Sequence, residues 1–303
     1  MKQKQLTIIS KFDALPLSCL IYEPKGKPKG IVQLVHGMCE YKDRYQPFME
    51  FLCKNGYIVE CHDHRGHGDS AQRAEDRGYF NDFKANAIVQ DAIQITEYLR
   101  GQYPNLPLTL FGHSMGSMVV RCYIQEHDDL IDKLIVCGSP SENPLAGLAI
   151  GLTKTIRVFR GARHRSKLLT YLAIGKGDKR FPGEGKGAWL SANRENIHEY
   201  AADPKCNFLF TCNGFENLFR LMKKTYTKKR YQVKNPNLPI HFVSGSDDPV
   251  MDSEKAWQKS VDLLKEVGYK QVTGKLYEGL RHEILKEKNA DEQFNDLLKF
   301  IEE

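Results

Sequence analysis

A mostly parallel β-sheet with helices on both faces, broken once by a helical insertion, is the architecture this sequence predicts, and three observations predict it. Apolar, strand-like runs alternate with helix-length segments up to Gly138 and again from Leu238 to the C-terminus. Between them the alternation stops from Pro140 to Tyr231 and the chain turns basic, with 18 Lys and Arg against 7 Asp and Glu, whereas the remainder carries 26 against 31. Finally, 303 residues with 41% apolar content suffice for one large core.

The opening pieces KQLTIIS and PLSCLIYEP, rich in β-branched residues and split by KFDA, predict an antiparallel hairpin. PKGKPKG is a turn by composition. IVQLVHG reads as a buried strand, RYQPFMEFLCKNGY as a helix closing on Gly56, and IVECHDH as the next strand. From Asn86 to Tyr103, Ile88, Ala92, Ile95 and Leu99 recur on one helical face. LTLFGHS predicts a strand, the segment through Met118 and Val119 a helix, and KLIVCGS a strand. After the insertion come the strand LPIHFVSGS, a helix through Ala256, Val261 and Leu264, the strand QVTGKLYEG and the helix DEQFNDLLKFIEE. Sheets of this kind bind ligands outside the carboxyl ends of their strands, so the insertion is expected over that end.

No apolar stretch approaches the roughly 18 residues a membrane span needs, and the N-terminus lacks a leader pattern, so a cytoplasmic protein is expected. Eight cysteines occur without a CxxC pair, and Cys61, Cys122 and Cys137 lie inside apolar runs, as reduced core thiols do. The basic insertion fits nucleic acid by charge alone, with no aromatic stacking run or recognised motif beside it, so no nucleic-acid partner is expected. HDHRGH places His62, His64 and His67 near an H-x-H-x-D-H metal pattern. Its fifth position is Gly66 rather than aspartate, and no metal or cofactor is expected.

The chemistry is expected at LFGHSMGSMVV. Gly112 and Gly116 remove the side chains that would collide where a strand turns at once into a helix, which leaves Ser114 on a strained corner with its hydroxyl above the sheet. The helix start beside it offers free N–H groups to an oxyanion. A serine hydroxyl needs a base to take its proton, and the base needs an orienting acid. In hydrolases with this corner the chain order is serine, acid, histidine. Of ten histidines only His282 follows the candidate acids, which are Asp247 and Asp248 in SGSDDPV. Spacing leaves the two aspartates open. The main-chain N–H groups of Met115 and Met38 are the candidate oxyanion donors.

These residues and their surroundings resemble the α/β-hydrolase superfamily, in particular its monoacylglycerol lipase and lysophospholipase group of serine hydrolases. The resemblance rests on HGMCEYKDRY, DHRGHGDS, GHSMGS, GSDDPV and His282, spread over the chain outside the insertion. It implies an α/β-hydrolase core of residues 1–139 and 234–303 and a cap of residues 140–233. The family's acid, fourth in G-x-x-D, falls on Asp248, and its oxyanion donors fall on Met38 and Met115. The implied reaction is hydrolysis of a single-chain lipid ester through an acyl-enzyme. Tyr41 stands where many relatives have histidine, and Met38 where the side chain is often smaller, so the substrate does not transfer from any one relative. A proline-iminopeptidase-like peptidase and a non-catalytic ligand-binding module are the alternatives on the same scaffold.

Within the insertion, Leu145, Leu148, Ala149, Leu152, Ile156 and Phe159 share one helical face, with Lys154, Arg157, Arg160, Arg163 and Arg165 among and after them. A basic amphipathic helix of this kind is expected to form the lip that admits the acyl chain and to touch an anionic membrane. The other reading, an apolar face packed on the core with solvated charges, stays open at this point.

Overall fold

The computed structural model describes residues 1–175 and 177–303. The chain opens with β1 (Lys2–Ile9), β2 (Pro16–Glu23) and β3 (Gly30–Val35), followed by α1 (Gln46–Lys54) and β4 (Tyr57–His62). Next come α2 (Ala87–Gln102), β5 (Leu108–His113), α3 (Met115–His127) and β6 (Lys133–Cys137). The insertion supplies α4 (Ala146–Arg160), α5 (Lys167–Ile174), α6 (Arg194–Ala202) and α7 (Cys212–Thr225). The chain closes with β7 (Ile240–Gly245), α8 (Glu254–Glu266), β8 (Val272–Tyr277) and α9 (Ala290–Glu302).

The eight strands form one sheet in the order β1-β2-β4-β3-β5-β6-β7-β8. β1 pairs antiparallel with β2 and β2 with β4, and every other pairing is parallel. The initial hairpin is therefore an antiparallel edge on a parallel sheet. β3, β4 and β5 are buried along their whole length, which is why they read as continuous apolar runs.

One face of the sheet packs on α2, α3 and α8 through Ile88, Ile95, Leu99, Val119, Tyr123 and Val261, and Phe215 and Leu221 of α7 join the same core beside α3. The other packs on α1 and α9 through Phe48, Met49, Leu52, Phe294 and Leu297. All eight cysteines are free and buried.

Strand order positions the site. From β3 the chain runs outward to β4, and from β5 onward it runs the other way, so the order reverses between β3 and β5. The loops leaving the carboxyl ends of these two strands diverge there and open a crevice. They carry Met38 and Ser114.

The insertion is not packed as its apolar stripe suggests. Ala146, Ile150 and Thr153 are the residues α4 buries, while Leu145, Leu148, Leu152 and Phe159 lie exposed, Phe159 by 80% and Leu148 by 72%. Three of the five basic residues are engaged internally: Arg157 with Glu216 at 3.1 Å, Arg163 with Asp76 at 2.8 Å, and Arg165 with the carbonyls of Arg77 and Leu209.

Candidate active site

Ser114 joins β5 to α3 with φ 53° and ψ −115°, a conformation that L-residues rarely adopt. Two glycines permit it. A Cβ on Gly116 would come within 2.0 Å of the Val35 carbonyl oxygen, and one on Gly112 within 2.5 Å of the Gly116 oxygen. The corner is held from below by Ser114 N, which donates to Cys137 O at 2.9 Å.

His282, in the loop after β8, brings Nε2 to 2.8 Å from Ser114 Oγ and Nδ1 to 2.9 Å from Asp248 Oδ2. The three side chains that the sequence singled out, 168 and 34 residues apart, thus form one hydrogen-bonded chain. Asp248 is fully buried beyond the end of β7, where its Oδ1 also accepts from Val250 N and its Oδ2 from the Ser244 hydroxyl. Burial pushes its carboxyl up. The charge and hydrogen bond of His282, with the two further donors, outweigh that and hold it below the usual carboxylate value. Asp247 is exposed to solvent, and among the described residues only Ser246 Oγ, at 3.5 Å, is hydrogen-bonded to its carboxylate.

Met115 is the first residue of α3, so its N–H lacks an intrahelical acceptor. The Met38 loop runs beside Ser114, since a Cβ on Gly37 would lie 3.1 Å from the Ser114 Cβ. Cys39 turns this loop with φ 57°. His36 fixes its start: Nε2 accepts from His64 N at 2.9 Å, which places the ring proton on Nδ1, aimed at Gly37 O at 2.8 Å. His64 Nε2 in turn donates to His36 O at 3.0 Å.

A second tier of charged residues lies behind. His113 Nδ1 faces Glu40 Oε1 at 3.1 Å, and its Nε2 faces the His282 carbonyl at 3.2 Å. Both partners only accept, so His113 carries a proton on each nitrogen. Burial alone would lower its pKa, but the Glu40 hydrogen bond and charge raise it above the ordinary value. Glu40 also accepts from Gly37 N at 2.6 Å, from Tyr45 Oη at 2.9 Å and from Arg44 at 3.0 Å. Arg44 forks onto both oxygens of Glu283 at 2.7 and 2.9 Å and reaches Asn196 of α6 at 2.8 Å. One ionic network therefore links the Met38 loop, the residue before Ser114, the His282 main chain and the insertion.

Sequence reasoning missed this tier. Glu40, Arg44 and His113 sit inside the quoted segments and Glu283 adjoins His282, but Asn196 carries no motif. The His62, His64 and His67 side chains do not gather as ligands, and among the described residues no three His, Cys, Asp or Glu groups are arranged as a metal ion requires.

The buried imidazoles make stability fall in acid. Burial depresses His36, His64 and His67 below the ordinary 6.5, His67 to about 4. The unfolded chain takes up these protons first, so their contribution is complete above pH 6.5 and declines toward pH 4, by about 3 kcal/mol for His67 alone. His113 acts oppositely, stabilising below pH 6.5 and losing that contribution as pH rises through its raised value. His113 and the raised carboxyls of buried Glu60 and Asp63 oppose the three imidazoles, but His36 and His64 lie well below 6.5, so the urea midpoint should drop between pH 7 and 4.5; a flat midpoint would contradict burial in the neutral form.

The family model described as serine aminopeptidase, S33 (Hydrolase_4) matches residues 26–289. Human monoglyceride lipase is 28% identical over 284 residues, covering 91% of this chain and 82% of that protein. The monoacylglycerol lipase of Mycolicibacterium smegmatis is 25% identical over 282 residues, covering 93% and 91%. A thermostable carboxyl esterase from Bacillus coagulans, solved in complex with glycerol, superposes with a TM-score of 0.90 at 28% identity, covering 100% of this chain and 98% of that one. With a matching model over most of its length, an elbow serine at the switch point and the sheet order above, the chain belongs to the Hydrolase_4 family of α/β-hydrolases.

Proposed function

We propose that the protein is a serine ester hydrolase acting on single-chain lipid esters, monoacylglycerols or lysophospholipids, through an acyl-enzyme. The observation that carries this reading is the unbroken hydrogen-bonded chain from Ser114 through His282 to Asp248 at a strained strand–helix corner. Ser114 Oγ attacks the ester carbonyl carbon while His282 Nε2 takes the hydroxyl proton. Asp248 stays ionised and balances the imidazolium. The Met38 and Met115 N–H groups hold the oxygen of the tetrahedral intermediate. As the carbonyl reforms, the bond to the alcohol breaks and His282 returns the proton to the departing oxygen. Water then repeats the sequence against the acyl-enzyme. No cofactor takes part in these steps.

The lipid substrate is supported by the monoglyceride and monoacylglycerol lipases among the relatives and by the exposed apolar ridge of the insertion. A peptidase of the iminopeptidase kind would need a free acid for the substrate ammonium, and Glu40 and Glu283 behind the site are already held by His113 and Arg44. The test is a panel of p-nitrophenyl esters of rising chain length beside a monoacylglycerol, a lysophospholipid and proline amides. We expect kcat/KM to rise with chain length and both lipid esters to turn over; preferential cleavage of proline amides would overturn the reading.

Residues 140–233 serve in this account as a cap on a core of 1–139 and 234–303, and the cap makes peripheral contact with anionic membranes. Its ridge of Leu145, Leu148, Leu152 and Phe159 is exposed, as are Leu168 and Leu172 of α5. Burying a side chain of this size is worth about 1.5–3 kcal/mol, against about 1 kcal/mol for each basic residue near an anionic surface. The double substitution Leu148→Ser and Phe159→Ser is expected to weaken vesicle binding more than tenfold at any lipid charge. Lys154→Gln with Arg160→Gln should remove only the extra affinity for anionic vesicles. Binding that vanishes with the charges and survives loss of the ridge would contradict this.

A further inference from the structure

The stretch of the insertion from 184 to 193 wraps the loop that carries His282. Arg281 donates from Nη1 to the Ala188 carbonyl at 2.7 Å and from Nη2 to Glu184 Oε1 at 2.8 Å. Glu283 N donates to Leu190 O at 2.8 Å. The Glu287 carboxylate accepts from Ala192 N at 3.0 Å and Asn193 N at 3.1 Å. The residues on either side of His282 therefore hold the main chain on either side of Trp189. As a result the indole lies against the catalytic imidazole, with ring centroids 5.1 Å apart and planes tilted by 37°.

Trp189 is itself fixed. Its main-chain N–H donates to Asp178 Oδ1 at 3.2 Å, and Gly177 leaves it room, since a Cβ there would come within 2.8 Å of the indole Cγ. The His282 ring also lies near His113, at 4.8 Å between centroids, and Gly138, where a Cβ would lie 3.3 Å from Cε1.

This arrangement bears on the moment at which His282 becomes a cation. Asp248 attracts the new charge and the doubly protonated His113 repels it. An aromatic face within about 6 Å of a cation attracts it through the ring quadrupole. A flat neighbour also limits rotation of the imidazole, which must keep Nδ1 on Asp248 and Nε2 on the serine oxygen at once.

We propose that Trp189 is a positioning residue for His282: supplied by the insertion, its indole keeps the imidazole in line between Ser114 and Asp248 and stabilises the imidazolium of the tetrahedral intermediate. The inference rests on His282 being the general base. It assigns the insertion a part in the chemical step beyond covering the site.

The test compares Trp189→Phe, Trp189→Leu and Trp189→Ala on one short-chain p-nitrophenyl ester, with melting temperature as the check of folding. Trp189→Leu and Trp189→Ala are expected to lower kcat about tenfold with KM changed less than about threefold, and Trp189→Phe, which restores an aromatic face, to stay within about threefold of the parent. Full kcat in Trp189→Leu, an equal loss in Trp189→Phe, or a change confined to KM would overturn the proposal. Ser114→Ala and His282→Ala run alongside. If either keeps its activity, the assignment of the base fails; if both abolish activity while Trp189→Leu is silent, only the role of Trp189 fails.

Discussion

Ser114→Ala is expected to lower kcat on a p-nitrophenyl ester by about four to six orders of magnitude while leaving the melting temperature within a few degrees of the parent. The loss is large because, in the proposed reaction, the hydroxyl is the atom that bonds to the acyl group, and it is the Ser114 hydroxyl that lies 2.8 Å from His282 Nε2. Residual turnover would come from the oxyanion donors and from binding alone. The fold should tolerate the change, since the corner is set by Gly112, Gly116 and the Ser114 N–H to Cys137 O bond, none of which uses the hydroxyl. A covalent fluorophosphonate adduct should form on the parent and be absent from the variant. Activity above about one per cent of the parent would place the nucleophile elsewhere.

Asp248→Asn should cost about three to four orders of magnitude in kcat, and Asp247→Asn less than threefold. The two carboxylates are neighbours in sequence but differ in burial and partners. Asp248 is enclosed and reaches His282 Nδ1 at 2.9 Å, whereas Asp247 faces water. An amide at 248 can present its NH2 group to Nδ1, which would push the ring proton onto Nε2, where the serine proton has to go. It also leaves the imidazolium without a counter-charge. Because the Asp248 carboxyl is held below the usual carboxylate value, it stays ionised throughout the neutral range, and activity near pH 7 should not report its titration. A larger loss at 247 than at 248 would reverse the assignment.

Much of the scaffold was legible because fully buried parallel strands read as continuous apolar runs and α2 shows its buried stripe in Ile88, Ala92, Ile95 and Leu99. The elbow was legible because its glycines answer to close contacts that no side chain could share. Periodicity was less informative for α4. It identified a helix with an apolar side, but the side that packs is Ala146, Ile150 and Thr153 with Ala149 and Ile156 of the stripe, while the stripe's leucines and Phe159 point outward. A repeat reports that a face exists, not what covers it. Charge counting failed in the same way for Arg157, Arg163 and Arg165, whose partners Glu216, Asp76 and the carbonyls near Leu209 come together only in the folded chain.

Around the site, Ser114, Asp248 and His282 lay in motifs, and so did Glu40, Arg44 and His113, but the pairings of the supporting residues carried no signal. Glu40 meets His113 across 73 positions and Arg44 meets Glu283 across 239, separations at which no local pattern signals a pair. Trp189 stands in a glycine-rich stretch with no regular structure to mark it, and its place against His282 follows from hydrogen bonds made by Arg281 and Glu283.

The measurement that bears most directly on the account is a crystal structure of the protein after reaction with an alkyl phosphonate. The phosphorus should be bonded to Ser114 Oγ, with its free oxygen about 2.7–3.1 Å from both Met38 N and Met115 N and His282 Nε2 beside the serine oxygen. Phosphorus on another residue, or a phosphonyl oxygen turned away from those two amides, would contradict the proposed chemistry.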